Sequence, residues 1–157
     1  SPEAITLSWG QSLTFNGIAQ GFATDLIRAT LAQNGFDRAL VNIGEYAALG
    51  GPFTLGLSDP VHGHLGTRSL SNGAIATSSA AAMTLDGTQP HIQHPISPTV
   101  AQWSTVSVKS DQAAVADAAS TAFCLMDKAQ ILGALDRLPT GTQVTLVTQD
   151  GDIETLG

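Results

Sequence analysis

NGIAQGFATDLIRATLAQNG, residues 16–35, is the stretch from which the rest of the chain is read. Ile18, Phe22 and Leu26 recur every fourth residue, and Ile27, Thr30 and Leu31 widen the stripe, which predicts an amphipathic helix over residues 17–34. Asn16 suits the cap position and Gly35 the position just past the end. The segment ALVNI, residues 39–43, follows closely as a compact apolar strand. A helix and a strand joined by a short connection are the signature of a layered α+β domain. Gly17 and Gly21 flank the helix start. Backbone groups there can approach a ligand, and free amides favour anions such as phosphate. Small residues in the same place also serve close packing.

A second helix is predicted over residues 112–126. Val115, Ala118, Ala119, Ala122, Phe123 and Met126 give it a broad surface of small apolar residues. Asp117 and Thr121 lie one turn apart and face the same way, with Ser120 nearby. A buried carboxylate in so apolar a run is costly without a partner, and a hard cation is the partner best suited to an Asp–Thr oxygen pair. The competing reading is a polar stripe facing water. Against it, the helix carries no other charge between Asp111 and Asp127, where a solvated face would normally bear Lys or Glu.

The remaining pattern predicts strands at residues 4–8, 53–58, 67–76, 103–108, 142–148 and 153–156. Asn72-Gly73 reads as a hairpin-type turn within the third of these. A third helix is expected over residues 128–138, and one or two helical turns over residues 78–84. Residues 61–66 and the proline-punctuated residues 86–99 read as loops. No repeat, low-complexity tract or linker interrupts the chain, so a single α+β domain over residues 1–157 is expected, with a mixed or antiparallel sheet flanked by helices.

The 157 residues include six basic and thirteen acidic side chains, for a net charge of −7. With no basic stripe, nucleic acid and anionic membrane surfaces are poor partners. No run is long and apolar enough for a transmembrane helix, and no signal peptide is present, although a trimmed chain would have lost one. Cys124, the one cysteine, lies in the apolar run AFCLM and reads as a small buried hydrophobe. His62-Gly63-His64 could be half of a transition-metal site but has no third ligand beside it. Ser78 and Ser79 lack the surroundings of a nucleophile elbow. Trp9 and Trp103 read as core or edge-strand residues.

Six motifs in order along the chain resemble the ApbE-type FAD:protein FMN transferases. The family's GIAKGYAVD is similar to residues 17–25, its LVNIGGD to residues 40–45, and its GI-x-DP to residues 56–60. Its AVATSG is similar to residues 74–79, its HIIDPRTG to residues 91–98, and its ADALATALF to residues 116–123. The resemblance covers nearly the whole chain and corresponds to the C-terminal half of usual members. It implies an ApbE-like α+β fold. It also implies a Mg²⁺ held by Asp117, Thr121 and the backbone carbonyl of Ala19. Cofactor contacts would come from Asn16, Gly17, Ala19, Gln20, Gly21, Glu45, Thr77, Ser78 and His91, with His91 as the catalytic base. The implied reaction cleaves FAD, releases AMP and joins FMN through a phosphoester to a Thr or Ser of an acceptor redox protein. The implied setting is periplasmic or exported.

Several positions depart from the family pattern. Gln20 stands for its Lys, His94 for its Asp, Ile96 for its Arg, and Ser97-Pro98 for its Thr-Gly. Ser79 replaces the last Gly of ATSG, and Glu45 is the counterpart of the GGD carboxylate. A lost positive charge beside a pyrophosphate removes charge-assisted hydrogen bonds worth roughly 1.5–3 kcal/mol each. These changes keep a second expectation open: a non-catalytic FAD- or partner-binding paralogue with a degenerate catalytic loop. Because family members carry a further N-terminal half, an N-terminal segment or second chain is expected to complete the cleft.

Overall fold

The computed structural model describes residues 4–85, 87–96 and 100–157. The first helix forms as α1, Ala19–Gln33. It closes on Gly35 at φ +83, where the amides of Gly35 and Phe36 reach back to the carbonyls of Ala32 and Leu31 at 3.1 Å. Glycine adopts that left-handed close without strain. The start differs from the expectation. Ile18 occupies the cap position with no side-chain cap, and Asn16 sits in the preceding turn with its amide on Thr14 Oγ1. The inward face also differs. Gly21 and Thr24 are the buried residues of α1, while Phe22 and Leu26 are 58% and 53% exposed. The helix approaches its neighbour through small side chains, which leaves the large apolar stripe pointing outward.

The chain continues through β1 (Ala39–Asn42), β2 (Tyr46–Leu49), β3 (Phe53–Asp59), β4 (Gly63–Leu70) and β5 (Ala74–Ser78). A 3-10 turn at Ala80–Ala82 leads to the short pair β6 (Thr84–Leu85) and β7 (Gln89–Pro90). Then come β8 (Thr105–Ser110), α2 (Ala113–Phe123), α3 (Lys128–Leu135), β9 (Gln143–Val147) and β10 (Ile153–Leu156). Six strands form one sheet in the order β1-β2-β5-β8-β9-β10, with antiparallel pairing throughout. This is the expected α+β class, with the antiparallel alternative realised.

Alternation along the strands divides the sheet into two faces. Ala76, Val106, Val108, Val144 and Leu146 pack with Ala116, Ala119, Phe123, Cys124 and Ile131 from the helices. On the opposite face the β3–β4 hairpin covers β2 and β5, where Leu55 and Leu70 meet Ala48 and Ile75. The β2 strand was not anticipated because YAAL shows no alternation; Ala47 and Ala48 are both buried, one toward each face.

Other expectations need correction. Residues 4–8 form no strand and lie exposed, without a buried face to hold one. The glycine-rich stretch expected to be a loop is largely strand, since β4 begins at Gly63 and pairs past a bulge at Leu57/Ser58. Asn72-Gly73 does not turn a hairpin, because β4 and β5 belong to different sheets. Asn72 instead uses Oδ1 to accept the Gly50 amide at 2.7 Å. Residues 97–98, the counterparts of the family's Thr-Gly, lie outside the described residues, as does part of the proline-rich loop.

Asp59 at the end of β3 fastens the hairpin to the main sheet. Its Oδ2 accepts the hydroxyls of Ser104 and Thr105 at 2.6 Å. Its Oδ1 accepts the amides of Val61 and His62 at 2.7 and 2.8 Å. Burial raises the carboxyl pKa, but the four hydrogen bonds outweigh it and bring it down to about 2. A folded pKa below the unfolded value gives stability that is present above about pH 4 and lost as pH falls toward 2, here roughly 2 kcal/mol. Asp59→Asn should therefore cost about that much at neutral pH in urea unfolding, and the gap from wild type should narrow between about pH 4 and pH 2. A gap that does not change with pH would contradict the charged latch.

Candidate functional site

Helices α1 and α2 cross in opposite directions at a contact that glycine makes possible. A Cβ at Gly21 would run into the Ala113 carbonyl and lie 2.7 Å from Asp117 Cβ. At Gly17 a Cβ would stand 3.1 Å from Thr121 Cγ2. The backbone of residues 17–21 therefore lies along the Asp117–Thr121 turn of α2. Asp117 is 4% exposed, and its Oδ2 accepts the Gly21 amide at 2.9 Å. That amide is one of those left free at a helix start, so Asp117 supplies the cap that Asn16 does not.

The relation is reciprocal. Gln112 caps α2 with no side-chain bond, and Asp25 of α1 fills the gap by accepting the Ala113 and Ala114 amides, both at 3.0 Å. Arg28 bonds Asp25 at 3.0 Å and the Asp111 carbonyl at 2.8 Å. Each helix thus caps the start of the other with a carboxylate, a placement the helix dipoles favour. Asp25 stood in the quoted motif, but its partners lie 88 and 89 residues away, and nothing local announces them.

Around Asp117 the donors are hard oxygens. Ser78 Oγ lies 2.8 Å from Ser120 Oγ and 3.3 Å from Thr121 Oγ1. Glu45, just before β2, is 8% exposed. Burial first, then the negative charge of Asp117, raise its pKa to about 7 against the opposing pull of the Thr77 amide. Burial also raises the Asp117 pKa, opposed by the Gly21 amide. The ion pairs among the described residues are Arg28–Asp25 and Lys128–Glu154, so neither Glu45 nor Asp117 has a basic side chain as counter-charge. No group of three or more His, Cys, Asp or Glu side chains gathers among the described residues. A cation here would take a mixed carboxylate and hydroxyl set, and the donor chemistry fits Mg²⁺, which accepts few protein ligands.

The other candidate residues are placed as follows. Ala19 is the first residue of α1, between the two glycines that touch α2. Gln20 extends toward the β1–β2 turn, where its Nε2 would lie 2.7 Å from a Cβ on Gly44. Asn16 is exposed. The Thr77 hydroxyl bonds Ser107 Oγ at 2.9 Å, and Ser107 lies on the sheet face away from α2; its amide rather than its hydroxyl serves Glu45.

His91 is exposed, with Nδ1 3.1 Å from the Met83 carbonyl. A carbonyl only accepts, so this contact puts the proton on Nδ1 and leaves Nε2 able to take one. Among the described residues, His91 makes no hydrogen bond to Asp117 or Thr121. His94 Nδ1 accepts the Ile96 amide at 3.2 Å, and Ile96 is 89% exposed. His94, Ile96 and Trp103 border a cavity of about 640 Å³ beside this loop. His62 turns toward the Gln149 carbonyl at 3.2 Å and His64 lies over Gly56, so the two do not form a pair. Burial pushes the Cys124 thiol up to about 12, opposed by the Ala80 amide, which makes it inert.

This architecture, an antiparallel sheet with two mutually capped helices and an oxygen-rich corner between them, is an α+β class shared with solved flavin-transferase structures. The sequence profile of the ApbE family matches residues 5–146, and the chain belongs to the ApbE family. An ApbE protein of Thermotoga maritima is 26% identical with a TM-score of 0.78, over 91% of this chain and 50% of that one. The apo flavinyl transferase ApbE of Pseudomonas stutzeri is 26% identical with a TM-score of 0.71, over 92% and 49%. The flavin transferase ApbE of Vibrio cholerae, 21% identical with a TM-score of 0.69 over 89% and 48%, shares the fold. This chain spans about half the length of these structures. No curated protein matches the sequence.

The helix contact yields a graded prediction in urea unfolding. Gly21→Ala should cost roughly 1–3 kcal/mol or more, because the added methyl group meets backbone. Asp117→Ala should cost about 1 kcal/mol through the lost cap, while Asp117→Asn, whose Oδ1 still accepts the Gly21 amide, should stay close to wild type. Wild-type stability of Gly21→Ala would refute the close crossing.

Proposed function

We propose that the chain is the Mg²⁺- and FAD-holding half of an FAD:protein FMN transferase. The observation that carries this reading is the buried Asp117 beside Thr121 and Ser78 at the start of α1, in a chain of the ApbE family. Asp117, Thr121 and the Ala19 carbonyl would hold Mg²⁺. Bound there, the metal would neutralise pyrophosphate oxygens. The positive end of the α1 dipole would face phosphate, with Gly17, Gly21 and Gln20 lining the approach. Asn16, Glu45, Thr77 and Ser78 belong to the same proposed pocket.

In the transfer, the acceptor Thr or Ser hydroxyl attacks the FMN phosphorus. A new O–P bond forms, the P–O bond to AMP breaks, and AMP leaves with the electron pair. His91 Nε2 takes the hydroxyl proton, its Nδ1 being engaged with Met83. Two features support a further half-domain that completes the cleft. The chain spans half of its solved relatives, and the outward stripe of Ile18, Phe22, Leu26 and Ile27 is exposed apolar surface. An exported location and a redox-protein acceptor follow the same reading.

The test mixes the chain, the complementary half-domain, FAD, Mg²⁺ and a family-type acceptor, and reads acceptor mass. A gain equal to FMN is expected, and His91→Ala should slow it by on the order of 10²–10⁴. Ile96, exposed where the family carries Arg, favours a second reading, a flavin-binding paralogue without chemistry. FAD binding with no mass gain under those conditions would reject the transferase in favour of that reading.

A further inference from the structure

Glu45 is a buried carboxylate with no basic side chain paired to it among the described residues, and its position in the fold explains what it faces. Ala47, two residues along and therefore on the same face of the strand, packs with Ala113 of α2. Asp117 lies one helical turn beyond Ala113, and its Cβ lies beside Gly21 of α1. Ala47 pairs with Ala74 of β5, and β5 runs alongside α2 from Ala113 to the Ser78–Ser120–Thr121 contacts, so going back from Ala47 to Glu45 follows α2 from Ala113 toward Asp117. The negative charge of Asp117 acts on Glu45 there and disfavours its ionised form.

The turn that carries Glu45 is held on both sides. The Thr77 amide of β5 donates to its carboxylate. The Gln20 side chain closes over the neighbouring Gly44, which ties the turn to the start of α1. The turn, the start of α1, β5 and α2 therefore meet at this corner.

We propose that Glu45 is a further oxygen donor for the divalent cation, bound directly or through one coordinated water, so that the ion joins the β1–β2 turn to the Asp117–Thr121 corner of α2. The inference rests on the Mg²⁺ reading of the preceding section and adds a ligand on a separate element. Two buried carboxylates at one level repel each other, and a hard dication between them turns that repulsion into binding. Ser78, at 3.3 Å from Thr121 Oγ1, is placed to orient that hydroxyl.

The experiment uses the full chain with Mg²⁺ and, separately, Mn²⁺ as probes, read by titration calorimetry and by the shift in thermal midpoint. Wild type should bind and gain stability. Glu45→Gln should lose affinity by about tenfold or more, while its metal-free thermal midpoint should equal or exceed that of wild type, because an uncompensated buried charge has gone. A merely structural carboxylate would give the opposite pair, a lower metal-free midpoint with metal affinity unchanged, and that pair would overturn the inference. Should Glu45→Gln not fold, Glu45→Asp keeps the charge and withdraws it by one methylene. It should still weaken metal binding, and wild-type affinity in that variant would overturn the proposal. Binding in wild type that Glu45→Gln leaves intact rejects Glu45 and spares the metal site. No binding in wild type rejects the metal reading itself.

Discussion

The hydrogen bond from the Gly21 amide to Asp117 is the constraint on which the rest of the site depends. It exists because Gly21 has no side chain, which lets the backbone of α1 lie against α2. With the helices that close, Asp25 comes within reach of the opposite helix start. Two free helix ends are then satisfied by two carboxylates, each supplied by the other helix. Each such cap is worth about 1 kcal/mol by itself. Their larger effect is geometric, since they fix the relative position of residues 17–21 and the Asp117–Thr121 turn.

One oxygen of Asp117 is committed to the helix start, and in the proposed reading the other would meet the cation. The substitution that separates a structural from a metal-binding role is the amide, which keeps the acceptor and drops the charge. The sheet contributes the complementary side of the corner through Ser78 and Glu45. The opposite face of the sheet has a different purpose, in which the β3–β4 hairpin is held down by the apolar cluster around Leu55 and Leu70 and by the Asp59 latch.

Much of the layout was legible in the sequence, because helix periodicity and β-branched runs are local signals. Both main helices, β1, β3, β8, β9 and β10 lie close to where the pattern puts them. The misses are non-local. YAAL has no alternation because both faces of β2 are covered. Residues 63–66 look like a loop by composition, yet pairing with β3 makes them strand. The stripe of α1 was expected to face the core, but the small residues Gly21 and Thr24 do so instead, because packing distance to α2 decides which face turns inward. In the candidate site, Asp117 and Thr121 were readable from charge sparsity and helical spacing. The partners of Asp25 and the converging position of Glu45 required the fold, since they join elements far apart in the chain.

The central claim, that one corner built on the Gly21–Asp117 bond binds a divalent cation without losing that bond, is tested most directly by an amide-resolved NMR titration with Mg²⁺. The account predicts that the amides of Gly21, Asp117 and Thr121 shift together with one affinity, and that the Gly21 amide stays protected from exchange when the site is saturated. Shifts confined to other parts of the chain, or loss of Gly21 protection as Mg²⁺ binds, would contradict it.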